Sequence, residues 1–491
     1  MLLRNTLFNL IGLGAPLLAA LATIPVLIAA LGPERFGLLT LVWAVVGYFG
    51  LFDLGLARAL TLHVAAAIGQ GRSDRVGILA ATTLALLIGL GVLAALALAA
   101  AAPWGIAQLQ GVADPAEALR ALRAMAWALP FIVATSGFRA ILEARHRFFA
   151  LNALRLPLGI FTFVGPWAMV ALGETRLDAI AVVLAWGRVV GCAAHAAVAW
   201  RALPGAASDL RLSSGVLPAL FTTGGWVTVS TLLSPLMTYV DRFIVGAVIS
   251  AAAVAYFATP QEIVSKLWIV PAALTGVLFP RIAEAGLAGL AGGIRRSVWR
   301  GAAAIAVVIY PIALALFLFA HEILATWIDP EFAAQAAIVL QCFAIGILAN
   351  APAHIPFTLL QAVGRARTVA LLHAAEVPAF VALTWWLATH YALVGAGIAW
   401  AVRCAVDAAL LFWFARGLMS DSARIAAPAL AIAAAGMLLA AAPFAGVLLE
   451  SAQLRAGLVA AALLGAVAWF AALWRARDQA SILGELRSWY R

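Results

Sequence analysis

"LFNLIGLGAPLLAALATIPVLIAAL", residues 7–31, runs for twenty-five positions without a charged side chain. An α-helix needs about 20 apolar residues to cross the hydrocarbon of a bilayer, whereas the apolar core of a secretory leader has about 7–15. The stretch also lacks the small-residue cleavage pattern and the soluble chain that follow a leader, so it reads as a first membrane span. Composition agrees: 65% of the chain is hydrophobic and 11% charged, where a soluble domain is about half apolar and a quarter charged. At 491 residues, length alone suggests about three soluble domains, but repeated apolar runs of about 18 residues or more replace that reading with membrane-spanning helices.

Runs of the required length predict spans near 7–31, 36–57, 76–102, 124–142, 157–173, 179–200, 216–240, 251–279 and 298–320. Five more fall near 333–362, 368–388, 394–415, 425–449 and 456–474. The fold class is therefore an all-α polytopic membrane protein of about fourteen spans. "GLGAPLLAALATIPVLIAALGPERFG" near the start has a weak echo in "TLLSPLMTYVDRFIVGAVISAAAVAYF", with Pro16 against Pro235 and Phe36 against Tyr256. The repeat divides the chain into two six-helix halves, 1–214 and 215–416, followed by 417–491 with two extra spans and a basic tail. Parallel repeats of this kind are a transporter design with the substrate between the halves.

The net charge of +10 comes from thirty arginines and a single lysine against 21 acids. These bases sit in short clusters between apolar spans, as membrane topology requires, and not in a nucleic-acid-binding stripe. With the N-terminus in the cytoplasm, twenty-two bases fall on the inside and six outside, so both termini are expected to be cytoplasmic. Cys192, Cys342 and Cys404 all lie in apolar spans without a C-x-x-C, so no disulfide framework or zinc site is indicated. "HEILA" at 321–325 lacks the second histidine of a zinc-protease helix, and the sole lysine follows Ser265 and not the glycine a P-loop needs. No cofactor, metal or nucleic-acid partner is expected.

Three stretches carry a family resemblance. They are "LGPERFGLLTLVWAVVGYFGLFDLGLARALT" (31–61), "YVDRFIVGAVISAAAVAYFATPQEIVSKLWIVPAALTGVLFPRIAEA" (239–285) and "WIDPEFAAQAAIVLQCFAIGILANAPAHIPFTLLQAVGRARTVALLHAAEVP" (327–378). They resemble oligosaccharide flippases of the Wzx type, in the multidrug/oligosaccharidyl-lipid/polysaccharide (MOP) exporter superfamily. The resemblance implies a non-enzymatic carrier that moves undecaprenyl-diphosphate-linked sugar repeats from the cytoplasmic to the periplasmic leaflet, for O-antigen or exopolysaccharide synthesis. It implies two helix halves rocking around a cationic cavity, with the lipid-linked glycan as partner, and a polysaccharide polymerase and chain-length machinery as further partners.

An ionisable group at mid-bilayer costs about 2.5–3.5 kcal/mol on insertion scales and therefore needs a partner or a watery cavity. Lys266 lies deep in its span one turn from Glu262, the favourable order for a helix pair. That pair is either a mutual neutraliser or a cavity cation meeting diphosphate, with Glu262 as its proton partner. Arg403 and Asp407 form a second couple in the less favourable order, and Arg188 has no carboxylate within one turn. Arg242 and Asp241 fall at the outer end of the seventh span, as interfacial anchors or an outer gate. Glu376, close to Pro378 and His373, is a protonatable coupling candidate; Asp53 and Arg58 in "FDLGLAR" are candidates for an inner gate. The candidate cavity cations are thus Lys266, Arg188, Arg242 and Arg403, and the coupling candidates Glu262, Glu376, Asp407 and Asp241. Two rival functions stand beside the flippase: a drug/cation antiporter of the same superfamily, and a polysaccharide polymerase or ligase, which normally carries the large outer loop that is missing here.

Overall fold

The computed structural model describes residues 2–50, 52–203, 210–276, 291–418 and 451–475. The expected span at 425–449 and most of the basic tail lie outside the described residues. Among those described there are helices and turns and no strand. Eight helices are long and apolar enough to cross a membrane, and the chain is an integral membrane protein. In hydrocarbon each backbone N–H and C=O must bond within the protein, and a helix meets that demand inside one segment.

Contacts divide the chain into two compact units, Met1–Ala255 and Tyr256–Arg491. Unit 1 begins with α1 (Leu2–Phe49) and the short α2 (Leu56–Gly69). It continues with α3 (Ser73–Gln108), α4 (Pro115–Ala144), α5 (Phe148–Ala171), α6 (Leu177–Ala202) and α7 (Leu217–Val248). The spans expected at 7–31 and 36–57 meet within α1, where two helical segments join at Gly32, whose φ of 75° interrupts the helix. That conformation carries little penalty only without a Cβ, and Pro33 then restarts the helix with its preset φ. The connection expected at 58–75 is largely helical, because α2 buries Leu56, Ala59, Leu60, Val64 and Ala67 on one face. α4 packs on α3 and α6, while α5 packs on α1 and α6.

One end of unit 1 is held by ion pairs among its turns. Glu117 accepts from Arg35 (3.1 Å) and from the Leu177 backbone N–H (2.5 Å). Asp178 pairs with Arg120 at 2.7 Å and Arg176 at 3.1 Å, which holds the Arg176 guanidinium above its usual range. Three of the six bases assigned to the outside are thus neutralised at a single end of the unit.

α8 (Ala251–Ser265) crosses the boundary between the units, and a 3₁₀ turn at Lys266–Trp268 leads into α9 (269–276). Unit 2 continues with α10 (Ala291–Leu318), α11 (Ala320–Trp327) and α12 (Pro330–Asn350). A 3₁₀ turn at Ala351–Ala353 leads to α13 (His354–Ala362), then α14 (Ala366–Ala415) and, beyond it, α15 (Ala452–Arg475). α14 merges the spans expected at 368–388 and 394–415 across a break at Tyr391 and Ala392. α4 and α12 start alike. Asp114 and Asp329 cap them by accepting from Glu117 N (2.9 Å) and Phe332 N (2.7 Å), each followed by a proline and a first-turn glutamate. Arg455, counted as an outer-loop base, is instead buried at the start of α15, where it donates to the Leu318 carbonyl (2.9 Å) and pairs with Glu322 (2.5 Å). The contacts dock α15 on α10 and α11.

The core of unit 2 is an aromatic stack. Phe257 meets Phe343 edge-on at 5.0 Å, and Phe343 meets Trp400 at 4.7 Å. Trp400 fits because position 346 has no side chain; a Cβ there would collide with the indole ring. Gly346→Val is expected to lower stability by about 1–3 kcal/mol, the usual cost of overpacking, measurable by thermal unfolding of the detergent-purified protein.

Candidate functional site

Arg188 is not isolated. Its Nη2 donates to Thr162 Oγ1 at 2.8 Å, joining α6 to α5 within unit 1. Both helices, with α1 and α4, line a partly open cavity of about 290 Å³ whose wall includes Arg188, Arg139, Arg155 and His195. Among the described residues no carboxylate lines it. The wall is softened by the Thr135 and Ser136 hydroxyls, and α1 contributes Gly47 and Gly50, which bring only backbone to the space.

Arg139 and Arg155 were assigned to inside connections by the topology count. In the structure both lie within helices, and both face the cavity. A sequence signal was present. Thr135, Ser136 and Arg139 recur at helical spacing on α4, Arg155, Gly159 and Thr162 on α5, and Arg188 and His195 on α6. Small and polar residues repeating at i, i+3, i+4 and i+7 in an apolar helix mark a wetted face. His195 was missed for another reason, because no second histidine accompanies it.

The other candidates in unit 1 take different places. Asp241 and Arg242 are both buried in α7, with the Arg242 guanidinium 5.5 Å from the centre of the Tyr239 ring. Neither lines the cavity. Asp53 follows α1 and turns its carboxylate onto the Gly55 N–H at 2.9 Å, while Arg58 is exposed on α2. Burial pushes the Asp53 carboxyl up, against the opposing pull of the Gly55 N–H and the Arg139 guanidinium.

Unit 2 gathers acids. Lys266 Nζ donates to Glu262 Oε2 at 3.0 Å, so the pair read from the sequence forms. Lys266 also opens the 3₁₀ turn, and Pro271, which has no N–H, cannot serve the Leu267 carbonyl that a regular helix would bond there. Further along, His373, Glu376 and Asp407 converge from α14, with ligand atoms all within 4.8 Å of one another. Asp407 Oδ2 accepts from Asn350 Nδ2 at 2.6 Å, and its Oδ1 lies 3.7 Å from His373 Nε2. Neither carboxylate oxygen of Glu376 has a hydrogen-bond partner, although the residue is only 8% exposed. His373 stacks on Phe357 of α13 at 6.1 Å. Arg403 rests over the Phe380 ring at 5.3 Å and the Trp400 ring at 6.0 Å. Two buried carboxylates so close together repel when both are ionised, so the group suits a shared proton or a bound cation. The sequence reading had no ligand set here, because Asn350, His373 and Asp407 are brought together only by the packing of α12 and the break inside α14.

The amino-terminal residues 2–285 match the model of a family described as "Polysaccharide biosynthesis protein". The chain belongs to that family. A Shigella flexneri protein described as a candidate O-antigen transporter is 29% identical over 417 residues, covering 84% of this chain and 97% of the relative. Among solved structures, an inward-facing multidrug MATE transporter of the MOP superfamily superposes with a TM-score of 0.70 at 17% identity, over 87% of this chain and 95% of that one. The lipid II flippase MurJ in an inward closed conformation gives 0.66 at 13% identity, over 96% and 100%. This family member therefore has the MOP transporter fold.

Asn350→Ala removes the only donor described for Asp407 Oδ2. It is expected to destabilise the protein by about 1–3 kcal/mol, the penalty for stranding a buried acceptor, again read by thermal unfolding.

Proposed function

We propose that the protein is a flippase for a polyprenyl-diphosphate-linked oligosaccharide, taken from the cytoplasmic to the periplasmic leaflet for O-antigen or exopolysaccharide synthesis. Undecaprenyl is the lipid that the family resemblance implies. One observation carries the reading: three arginines, and no acid among the described residues, line a cavity in unit 1. A diphosphate taken unpaired into hydrocarbon would cost on the order of tens of kcal/mol. Guanidiniums offset that cost, because their planar forks match phosphate oxygens two at a time. The polyprenyl tail stays in lipid throughout, so only the headgroup needs a polar path. No bond is made or broken, and the protein acts as a carrier and not as an enzyme. An acid-free wall argues against a cationic drug as the ligand of this cavity.

The reading assigns separate tasks to the two halves of the chain. Unit 1 holds the anionic headgroup. In unit 2, Glu376 and Asp407 with His373 take up the coupling proton or cation, and Asn350 keeps Asp407 in place. Lys266, held by Glu262, is a further cation for the diphosphate, and Arg242 and Asp241 act together near an exit gate. The halves rock as bodies, and both termini remain in the cytoplasm.

Arg139→Gln, Arg155→Gln and Arg188→Gln are each expected to reduce headgroup affinity roughly tenfold or more, since a charge-assisted hydrogen bond is worth about 1.5–3 kcal/mol. The readout is surface-polysaccharide export in a deletion strain at normal membrane levels of the variant. Export unchanged in all three variants contradicts an anion cavity in unit 1. Reporter fusions should place the connections near Arg147 and Arg367 in the cytoplasm and those near Asp114, Arg176 and Pro330 on the opposite side. A periplasmic C-terminus would refute the proposed topology.

A further inference from the structure

His195 is the one titratable side chain on the described cavity wall that the flippase reading leaves without a task. It is 2% exposed on α6. Its Nδ1 lies 2.7 Å from the Gly191 carbonyl oxygen. A carbonyl only accepts, so Nδ1 carries the hydrogen, and in the neutral ring Nε2 carries a lone pair. Nε2 is buried and has no hydrogen-bond partner among the described residues. The Gly191 carbonyl already serves the helix ladder, so the ring bond sets the tautomer and is not needed to satisfy the backbone.

The surroundings decide what Nε2 can do. Arg139 faces the cavity from α4 with Thr135 and Ser136, Arg155 faces it from α5, and Arg188 from α6; α1 adds no charge. The carboxylates that act on these arginines, Asp53 on Arg139 and Glu143 on Arg155, lie off the cavity wall. In the empty cavity a fourth positive charge has no counter-charge on the wall, so the neutral imidazole is favoured. A bound phosphate group reverses the balance: its negative charge beside the ring favours the imidazolium. Nothing else in the wall can change its charge so readily near neutral pH, because the arginines stay protonated.

We propose that His195 is a headgroup-binding residue that is neutral in the empty cavity and gains a proton when a diphosphate enters. Binding of the anion thereby takes up a proton, and by linkage its affinity falls as pH rises. This rests on the anion-carrier reading of unit 1. The alternative is a ring that only braces α6, which would leave the proton count unchanged.

The test is titration calorimetry of inorganic pyrophosphate into the detergent-purified full chain, in buffers of different ionisation enthalpy near pH 7.5. Wild type is compared with His195→Gln, and with His195→Asn should the glutamine variant unfold. Pyrophosphate exchanges its own protons, so the difference between proteins is the readout. Wild type is expected to take up close to one proton more per pyrophosphate than the variant, and its affinity to fall more steeply with pH, by up to roughly tenfold per unit. Binding with equal proton counts in both proteins overturns the role of His195 and leaves the anion cavity standing. Absence of pyrophosphate binding, or binding unaffected by Arg188→Gln, overturns the anion reading and this inference with it.

Discussion

An ionised group in hydrocarbon must find an opposite charge, a hydrogen bond or water, and each unusual feature of this protein follows from that demand. The backbone meets it by coiling, so the described spans are helices even where Gly32 and Tyr391–Ala392 turn the chain back without a long loop. Side chains meet it by pairing or by lining a cavity. Lys266 is paired with Glu262, Arg188 leans on Thr162, and Arg455 is divided between a carbonyl and Glu322.

The demand is met differently in the two units. In unit 1 three bases stand together around one cavity, while Glu117 and Asp178 tie Arg35, Arg120 and Arg176 at an end of the unit. Asp53 and Glu143 act on the cavity arginines from off its wall, so the described wall itself carries only positive charge. In unit 2 the buried surplus has the other sign, at Glu376 and Asp407, with a neutralisable histidine between helical segments. The rigid supports are ordinary packing devices: an aromatic stack seated on Gly346, two aspartate caps, and ion pairs at helix ends.

Much of this was legible in the residues. Uncharged runs marked the spans because insertion depends on composition summed over about 20 positions, a local property. The Lys266–Glu262 pair was legible for the same reason, since four positions along a helix are neighbours whatever the tertiary fold. That Arg139 and Arg155 share a cavity was not legible, because a count of bases per loop ignores which way a side chain faces along its helix. In the structure Arg139 of α4 and Arg155 of α5 both stand on cavity-facing stripes.

The sequence by itself determined that this is an all-helical membrane protein, roughly where its spans lie, and that its sparse charges must serve a purpose. Each of these follows from hydropathy and short-range helix geometry. Only the tertiary structure decided which charges share a site. His195 joins three arginines from three helices, and Asn350 meets Asp407 across fifty-seven positions, through the packing of α12 on α14. Such meetings depend on the rotation of one helix against another. A few apolar contacts set that rotation, and many different sequences of the same hydropathy would set it differently.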